Sequence, residues 1–118
     1  MNVDPTAEEL VEITTLTAKT VKQFNFTPRI AMLSYTNFGS APGDAPTKVA
    51  KAVNILHRDF PGLIVDGDLQ ANFAVNNNLL KEQFPFSTLV DKNVNTLIFP
   101  NLASGNISYK LMQELGGA

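Results

Sequence analysis

The amino-acid sequence predicts an α/β fold in which a mostly parallel sheet carries helices on both faces. Three short apolar runs, typical of strands buried on both sides, alternate with segments whose apolar residues recur at helical spacing. Crossovers of this length imply parallel strands and right-handed connections. The expected order is helix, strand, helix, strand, two short helices, strand and helix, which is typical of a three-layer α/β/α architecture.

The first predicted element is a long amphipathic helix over residues 4–24. Asp4 is a suitable N-cap, and Pro5 has its φ angle preset for the first helical position. Apolar residues cover a wide face of this helix, so that more than one neighbour must bury it. A partner chain could be one of these neighbours.

A buried strand over 29–35 comes next, and the following ten residues, TNFGSAPGDA, form a loop. Glycine, proline and short polar side chains in this loop neither continue a strand nor start a helix. Pro46 then opens a second helix, and the Pro-Gly pair at 61–62 closes it.

A short second strand is predicted at 63–65 (LIV), and the sequence Asp-Gly-Asp follows it at once. Two short helical stretches over 69–75 and 79–84 are split by three asparagines. They lead toward the third strand.

The third strand is predicted at 96–99 (TLIF), where β-branched and aromatic residues cluster. Beyond it Ile107, Leu111 and Leu115 recur every four residues and predict a final helix, which two glycines end. Three strands are few for such a sheet, for which about five or six is the mean. We therefore expect the chain to be a piece of a longer domain.

Composition excludes several classes of function. The 118 residues carry a net charge of −2 with a pI near 5.2, which gives no cationic footprint for nucleic acid. The absence of cysteine excludes disulfide scaffolds and thiolate metal sites. The sequence contains no apolar stretch of membrane-spanning length and no signal-peptide pattern at its start, so we expect a cytoplasmic protein without membrane contact.

Small polar residues follow each predicted strand, and the carboxyl ends of parallel strands meet at one edge of a sheet, where α/β folds bind ligands. The candidate ligand-binding residues are Asn37, Gly39, Ser40, Asp66, Gly67, Asp68, Asn101, Ser104, Gly105 and Asn106. The NFGSAPG segment has the strand-to-helix position of a phosphate-binding loop, but it matches neither the Walker pattern nor GxGxxG. An ordinary connection is the favoured interpretation of this loop, with anion binding as the alternative.

The other candidates also have structural interpretations. Asp66 and Asp68 could hold a divalent cation or a ligand hydroxyl, although Asp68 as the N-cap of a helix starting at Leu69 is favoured. Residues 101–106 could equally do no more than cap a helix. His57, the only histidine, is expected to be a solvated surface residue. No metal site and no acid–base catalysis are expected from this segment alone.

Four motifs in register, RIAMLSYTNFGS, LIVDGDLQANFAV, FPFSTL and NTLIFPNLASGNISYKLMQELGGA, resemble the phosphotransacetylase (phosphate acetyl/butyryl transferase) family over residues 5–118. This domain occurs in free-standing phosphate acetyltransferases, which exchange acetyl between coenzyme A and phosphate. It also occurs as the C-terminal module of bacterial NADP-dependent malic enzymes. FPFSTL, Asn37 and Asn101 look more like the malic enzyme version.

The resemblance implies a fold like that of isocitrate and isopropylmalate dehydrogenases, with residues 1–118 forming a fragment of the central domain. It implies dimers packed through this domain, and acetyl-CoA, CoA or acetyl phosphate as ligands, with acetyl-CoA as a regulator in the malic enzyme version. The family's catalytic serine, arginine and aspartate lie beyond the matched segment. The fragment alone is therefore expected to be inactive and to hold no cofactor, while NADP and a divalent metal would belong to the rest of a malic enzyme.

Overall fold

A computed structural model describes residues 4–40 and 42–100 and the backbone of 109–111. Its elements are α1 (Ala7–Gln23), β1 (Arg29–Leu33), α2 (Asp44–Asp59), β2 (Ile64–Leu69), α3 (Ala71–Val75), α4 (Asn77–Gln83), β3 (Thr96–Ile98) and β4 (Tyr109–Leu111). The strand order in the sheet is β2-β1-β3-β4. β1 pairs in parallel with both β2 and β3, whereas β4 runs antiparallel to β3. The predicted α/β class and its three parallel strands are confirmed.

The helices cover both faces of the sheet. On one face, α1 and α2 pack in a cluster with buried residues of the three parallel strands: Ala7, Leu10, Ala18, Ile30, Met32, Val49, Ala52, Val53, Leu56, Val65 and Ile98. On the other face, α3 and α4 pack in a second cluster: Ala31, Leu33, Leu69, Ala74, Leu80, Leu89 and Leu97. The arrangement is the predicted three-layer α/β/α.

The central strand β1 shows why an uninterrupted apolar run is needed here. Ile30 and Met32 belong to the cluster under α1 and α2, whereas Ala31 and Leu33 belong to the opposite cluster. Successive side chains of a strand point to opposite faces, so a strand covered on both faces must be apolar at every position.

The start of α1 differs from the prediction. Thr6 is the N-cap: its hydroxyl accepts from the Glu9 amide at 3.1 Å, and the Glu9 carboxylate accepts from the Thr6 amide at 2.9 Å. This capping box satisfies two amides at once, which a single aspartate side chain does not do. Asp4, the predicted cap, instead accepts from Lys48 Nζ on α2 at 2.6 Å.

The capping box gives a first testable prediction. Thr6→Ala should lower the free energy of unfolding by about 1 kcal/mol, since the N-cap hydroxyl that accepts from the Glu9 amide is lost. Asp4→Ala is the matched control and should cost less, because the Asp4 side chain in its ion pair with Lys48 is 80% exposed. Urea unfolding of both variants measures the difference. A larger loss of unfolding free energy for Asp4→Ala than for Thr6→Ala would instead favour Asp4 as the N-cap.

Two further elements, α2 and the predicted final helix, differ from the prediction. α2 begins at Asp44 instead of Pro46, so that proline lies inside the first turn, where a missing amide donor is tolerated. The predicted final helix is contradicted at residues 109–111, which form β4 and pair with β3. Tertiary pairing thus overrides a helical apolar spacing that was based on only a few residues. Residues 101–108 and 112–118 lie outside the described residues.

None of the helices in the described part of the chain combines the length and the apolar character that crossing a membrane requires.

Candidate functional site

The carboxyl ends of β1, β2 and β3 lie along one edge of the sheet because the three strands are parallel. The loop at 34–40, which leaves β1, is hydrogen-bonded to the end of β2. Two of the three predicted groups of site residues are therefore brought together. The third group, Asn101, Ser104, Gly105 and Asn106, lies outside the described residues and stays a prediction.

β2 is longer than predicted, and this changes the placement of the two aspartates. It runs to Leu69, so Asp66, Gly67 and Asp68 lie within the strand instead of after it. Met32 pairs with Gly67 and Leu33 pairs with Leu69, which leaves Asp68 as an extra residue in a bulge. Asp-Gly-Asp was predicted to follow the strand, but the bulge accommodates these residues without ending it.

Asp68 organises the loop that leaves β1. Its side chain is almost fully buried, at 1% exposure. Oδ2 accepts from the Ser34 hydroxyl at 3.2 Å and from the Thr36 hydroxyl, while Oδ1 accepts from the Gly39 amide at 2.9 Å. The favoured interpretation of Asp68 as a helix cap is wrong, because α3 begins only at Ala71. The carboxylate holds three donors from the neighbouring loop.

The backbone amides of the loop are also engaged within the protein. The Asn37 amide donates to Ser40 Oγ at 3.2 Å, and the Ser40 amide donates to the Asn37 carbonyl at 3.1 Å. The Phe38 amide donates to the Asp68 carbonyl at 2.7 Å, and the Gly39 amide donates to the Asp68 carboxylate. An external phosphate would have to displace these bonds. The geometry thus favours an ordinary connection over a phosphate-binding loop.

Asn37 and Gln70 tie the loop to the end of β2. The Gln70 amide donates to Asn37 Oδ1, and Asn37 Nδ2 donates to Gln70 Oε1, both at 2.8 Å. Gln70 Nε2 also donates to the Tyr35 carbonyl at 3.1 Å. Asn37, predicted to contact a ligand, thus has its side chain in the frame of the loop.

Asp66 fixes a second segment, the FPFSTL motif at 84–89. Its buried carboxylate accepts from Ser87 Oγ at 2.8 Å and from the Thr88 amide at 3.0 Å, both through Oδ2. The remaining oxygen, Oδ1, accepts from the Gly67 amide at 3.0 Å. This aspartate therefore anchors the motif to β2.

Four phenylalanine rings lie beside these two segments. Phe38, on the loop after β1, has ring centroids 5.1 Å from Phe84 and 4.9 Å from Phe86. Phe73 on α3 contacts Phe84 edge to face at 5.0 Å. Phe86 is 67% exposed, although the other rings support it from behind. Such offset and edge-to-face pairs are the favoured aromatic geometries.

His57 lies on α2 and is 41% exposed, as predicted for a surface residue. Its Nε2 atom lies 2.7 Å from the Val65 carbonyl oxygen and 3.9 Å from Asp66 Oδ1. The ring thus links α2 to β2. Within the ranges 4–40 and 42–100, no group of three or more histidine, aspartate or glutamate side chains is placed to hold a metal ion.

The family model for phosphate acetyl/butaryl transferase matches residues 1–118. The chain belongs to this family. The phosphate acetyltransferase of Clostridium acetobutylicum is 40% identical over 119 residues, which cover 100% of this chain and 35% of the relative. The NADP-dependent malic enzyme of Rhizobium meliloti is also 40% identical, over 114 residues that cover 97% of this chain and 15% of the relative.

A solved phosphotransacetylase from Streptococcus pyogenes superposes with a TM-score of 0.79 at 39% identity, covering 90% of this chain and 32% of that structure. The chain therefore spans about a third or less of the length of these relatives. What the comparisons establish is a phosphotransacetylase-like domain with an α/β fold.

In this phosphotransacetylase-like domain, two of the predicted groups of site residues lie at one edge of the sheet, but the residues that support them were not predicted. No supporting role was expected for Ser34, Thr36 or Ser87. Their role follows from a buried carboxylate opposite each of them. The only sequence signal is the presence of hydroxyl residues in the segments at 34–40 and 84–89, which by itself does not specify the pairing.

Proposed function

We propose that this phosphotransacetylase-like domain is the regulatory module of an NADP-dependent malic enzyme and that it binds acetyl-CoA. The other domains of such a parent catalyse the oxidative decarboxylation of malate to pyruvate. The observation that carries the proposal is the alignment of three parallel strand ends along one edge, with two loops fixed there by buried aspartates. Open α/β sheets bind their ligands at such an edge.

The engagement of the polar groups supports binding over catalysis. Both carboxylates at the edge, Asp66 and Asp68, have each oxygen in a hydrogen bond to the protein itself. A general base must reach a substrate proton, and neither carboxylate is free to do so without breaking these bonds. They shape the surface that a ligand meets.

The malic enzyme assignment is supported by two residues in the motifs that resemble malic enzymes, because both lie at the carboxyl edge of the sheet. Asn37 in SYTNFGS closes the first loop through Gln70, and Ser87 in FPFSTL anchors the second segment through Asp66. Both features determine the shape of the edge. A second candidate, a fragment of a phosphate acetyltransferase, is favoured by the 40% identity to the Clostridium acetobutylicum enzyme. CoA and acetyl phosphate would then be additional ligands.

The proposal includes a homodimer formed through this domain. The family likeness implies it, and exposed apolar side chains on and after α1, such as Leu16 and Phe24, are compatible with a covered face. The family likeness also implies that NADP and a divalent metal bind to other domains of a malic enzyme parent. We propose no binding of either group to this domain.

The test uses the full-length parent enzyme and a variant that lacks this domain. Malate oxidation by the complete enzyme should respond to acetyl-CoA with a coupling of about 1–3 kcal/mol, or roughly 5–150-fold in apparent affinity. The shortened variant should oxidise malate without this response. An unchanged response would refute the regulatory role. Transfer of acetyl from acetyl-CoA to phosphate by the complete protein would favour the second candidate.

A further inference from the structure

The exposed ring of Phe86 lies against two other rings, those of Phe38 and Phe84. We call these three rings the aromatic shelf. Phe86 is 67% exposed, whereas Phe38 and Phe84 are partly buried against the second core cluster. Phe38 contacts both of the other rings, at centroid distances of 5.1 and 4.9 Å. The shelf therefore joins the loop after β1 to the segment at 84–89.

The exposure of Phe86 does not come from a loosely held segment. The residues that follow it are fixed by buried Asp66, which accepts from the Ser87 hydroxyl and from the Thr88 amide. The Ser87 amide also donates to the Phe84 carbonyl at 3.0 Å, which closes a tight turn around the phenylalanine. The backbone on both sides is held in place, so the ring is presented to solvent from a defined position.

The location of the shelf connects it to the candidate site. Phe38 lies between Asn37 and Gly39, and its amide donates to the Asp68 carbonyl. The shelf thus continues from the loop that closes the carboxyl edge of the sheet. A ligand bound along this edge would meet the exposed ring of Phe86 at one end.

We propose that the aromatic shelf is the stacking platform for the adenine base of acetyl-CoA, with Phe86 as its outer contact. This inference rests on the proposed function, because it assigns one part of the same ligand to one part of the same edge. A planar base has a π face that stacks on an aromatic ring, and stacking of this kind contributes substantially to the binding of nucleobases. Acetyl phosphate, phosphate and malate have no such face.

The experiment titrates the full-length parent enzyme with two probes, acetyl-CoA and S-acetylpantetheine, which lacks the adenine nucleotide. Phe86→Ala should weaken acetyl-CoA binding about tenfold and leave S-acetylpantetheine binding unchanged. Phe86→Trp should retain the affinity for acetyl-CoA, because indole offers a larger stacking face. The matched control is Phe60→Ala, another exposed ring (41%), which lies at the end of α2 and hence at the opposite edge of the sheet.

Each other result contradicts the inference. An unchanged affinity for acetyl-CoA in Phe86→Ala, or an equal loss for both probes, would show that the ring does not contact the base. A change in oligomer size or a large loss of thermal stability in the same variant would show that Phe86 is a packing residue for the rest of the protein. Wild-type enzyme that binds neither probe would overturn the proposed function itself.

Discussion

Replacing Gly67 with alanine should lower the free energy of unfolding by about 3 kcal/mol or more, because two costs combine. Gly67 has a φ angle of +151°, a conformation that side chains disfavour. An added Cβ would also lie 2.9 Å from Met32 Cβ and even closer to the Met32 carbonyl oxygen on the neighbouring strand. Neither atom can move away freely, since β1 is hydrogen-bonded to β2 on one side and to β3 on the other.

Urea unfolding at constant pH measures this effect, and Gly62→Ala is the matched control. A Cβ at Gly62 would meet nothing within 4 Å, and its φ angle is not positive, so this variant should differ from wild type by less than about 0.5 kcal/mol. A similar urea midpoint for the two variants would contradict the prediction. It would mean that β1 and β2 can move apart at Gly67 without loss of stability.

The parallel strands could be predicted because their physical signature is local. A strand that is covered on both faces must be apolar at successive positions, and the runs at 30–33, 63–65 and 97–99 meet this condition. The surrounding helices followed from apolar spacing and from proline and glycine at their ends. The fold class was therefore accessible from the sequence.

Two of the three errors have tertiary causes. Asp-Gly-Asp has the composition of a turn, and only the register against β1 shows that Asp68 is a bulge inside β2. Residues 109–111 have the apolar spacing of a helix, yet pairing with β3 makes them a strand. At α1, both Asp4 and Thr6 are good caps by residue type, and the reciprocal bonds with Glu9 decide between them. No local pattern contains the two strand pairings, whereas the bonds between Thr6 and Glu9 follow the local Thr-x-x-Glu pattern of a capping box.

The candidate site could be predicted only at the level of its edge. Parallel strands require their outgoing loops to share one edge, so the proximity of the segments at 37–40 and 66–68 followed from the fold class. Apart from the Gly67 amide, the hydrogen-bond partners of the two aspartate side chains are 20 or more residues away in the sequence, as with Ser87 and Asp66. The aromatic shelf was missed for the same reason, because its rings come from separate segments.

The carboxylate of Asp68 should be the most sensitive polar group at this edge. Asp68→Ala removes a buried acceptor for the Ser34 and Thr36 hydroxyls and for the Gly39 amide. The unsatisfied donor on buried Thr36 and the loss of three charge-assisted bonds should together cost about 3 kcal/mol or more. Asp68→Asn keeps the shape and one acceptor oxygen, so its loss should be smaller.

Urea unfolding ranks these variants, and amide hydrogen exchange shows where the loss occurs. The amides of Phe38 and Gly39 should lose protection in Asp68→Ala more than amides in α1 do, because the loop after β1 is released while the helix is unaffected. Asp59→Ala, at an exposed position on α2, should leave both measurements unchanged. Protection lost uniformly across the chain would contradict a local role for Asp68, since it would place this carboxylate in the global unfolding unit.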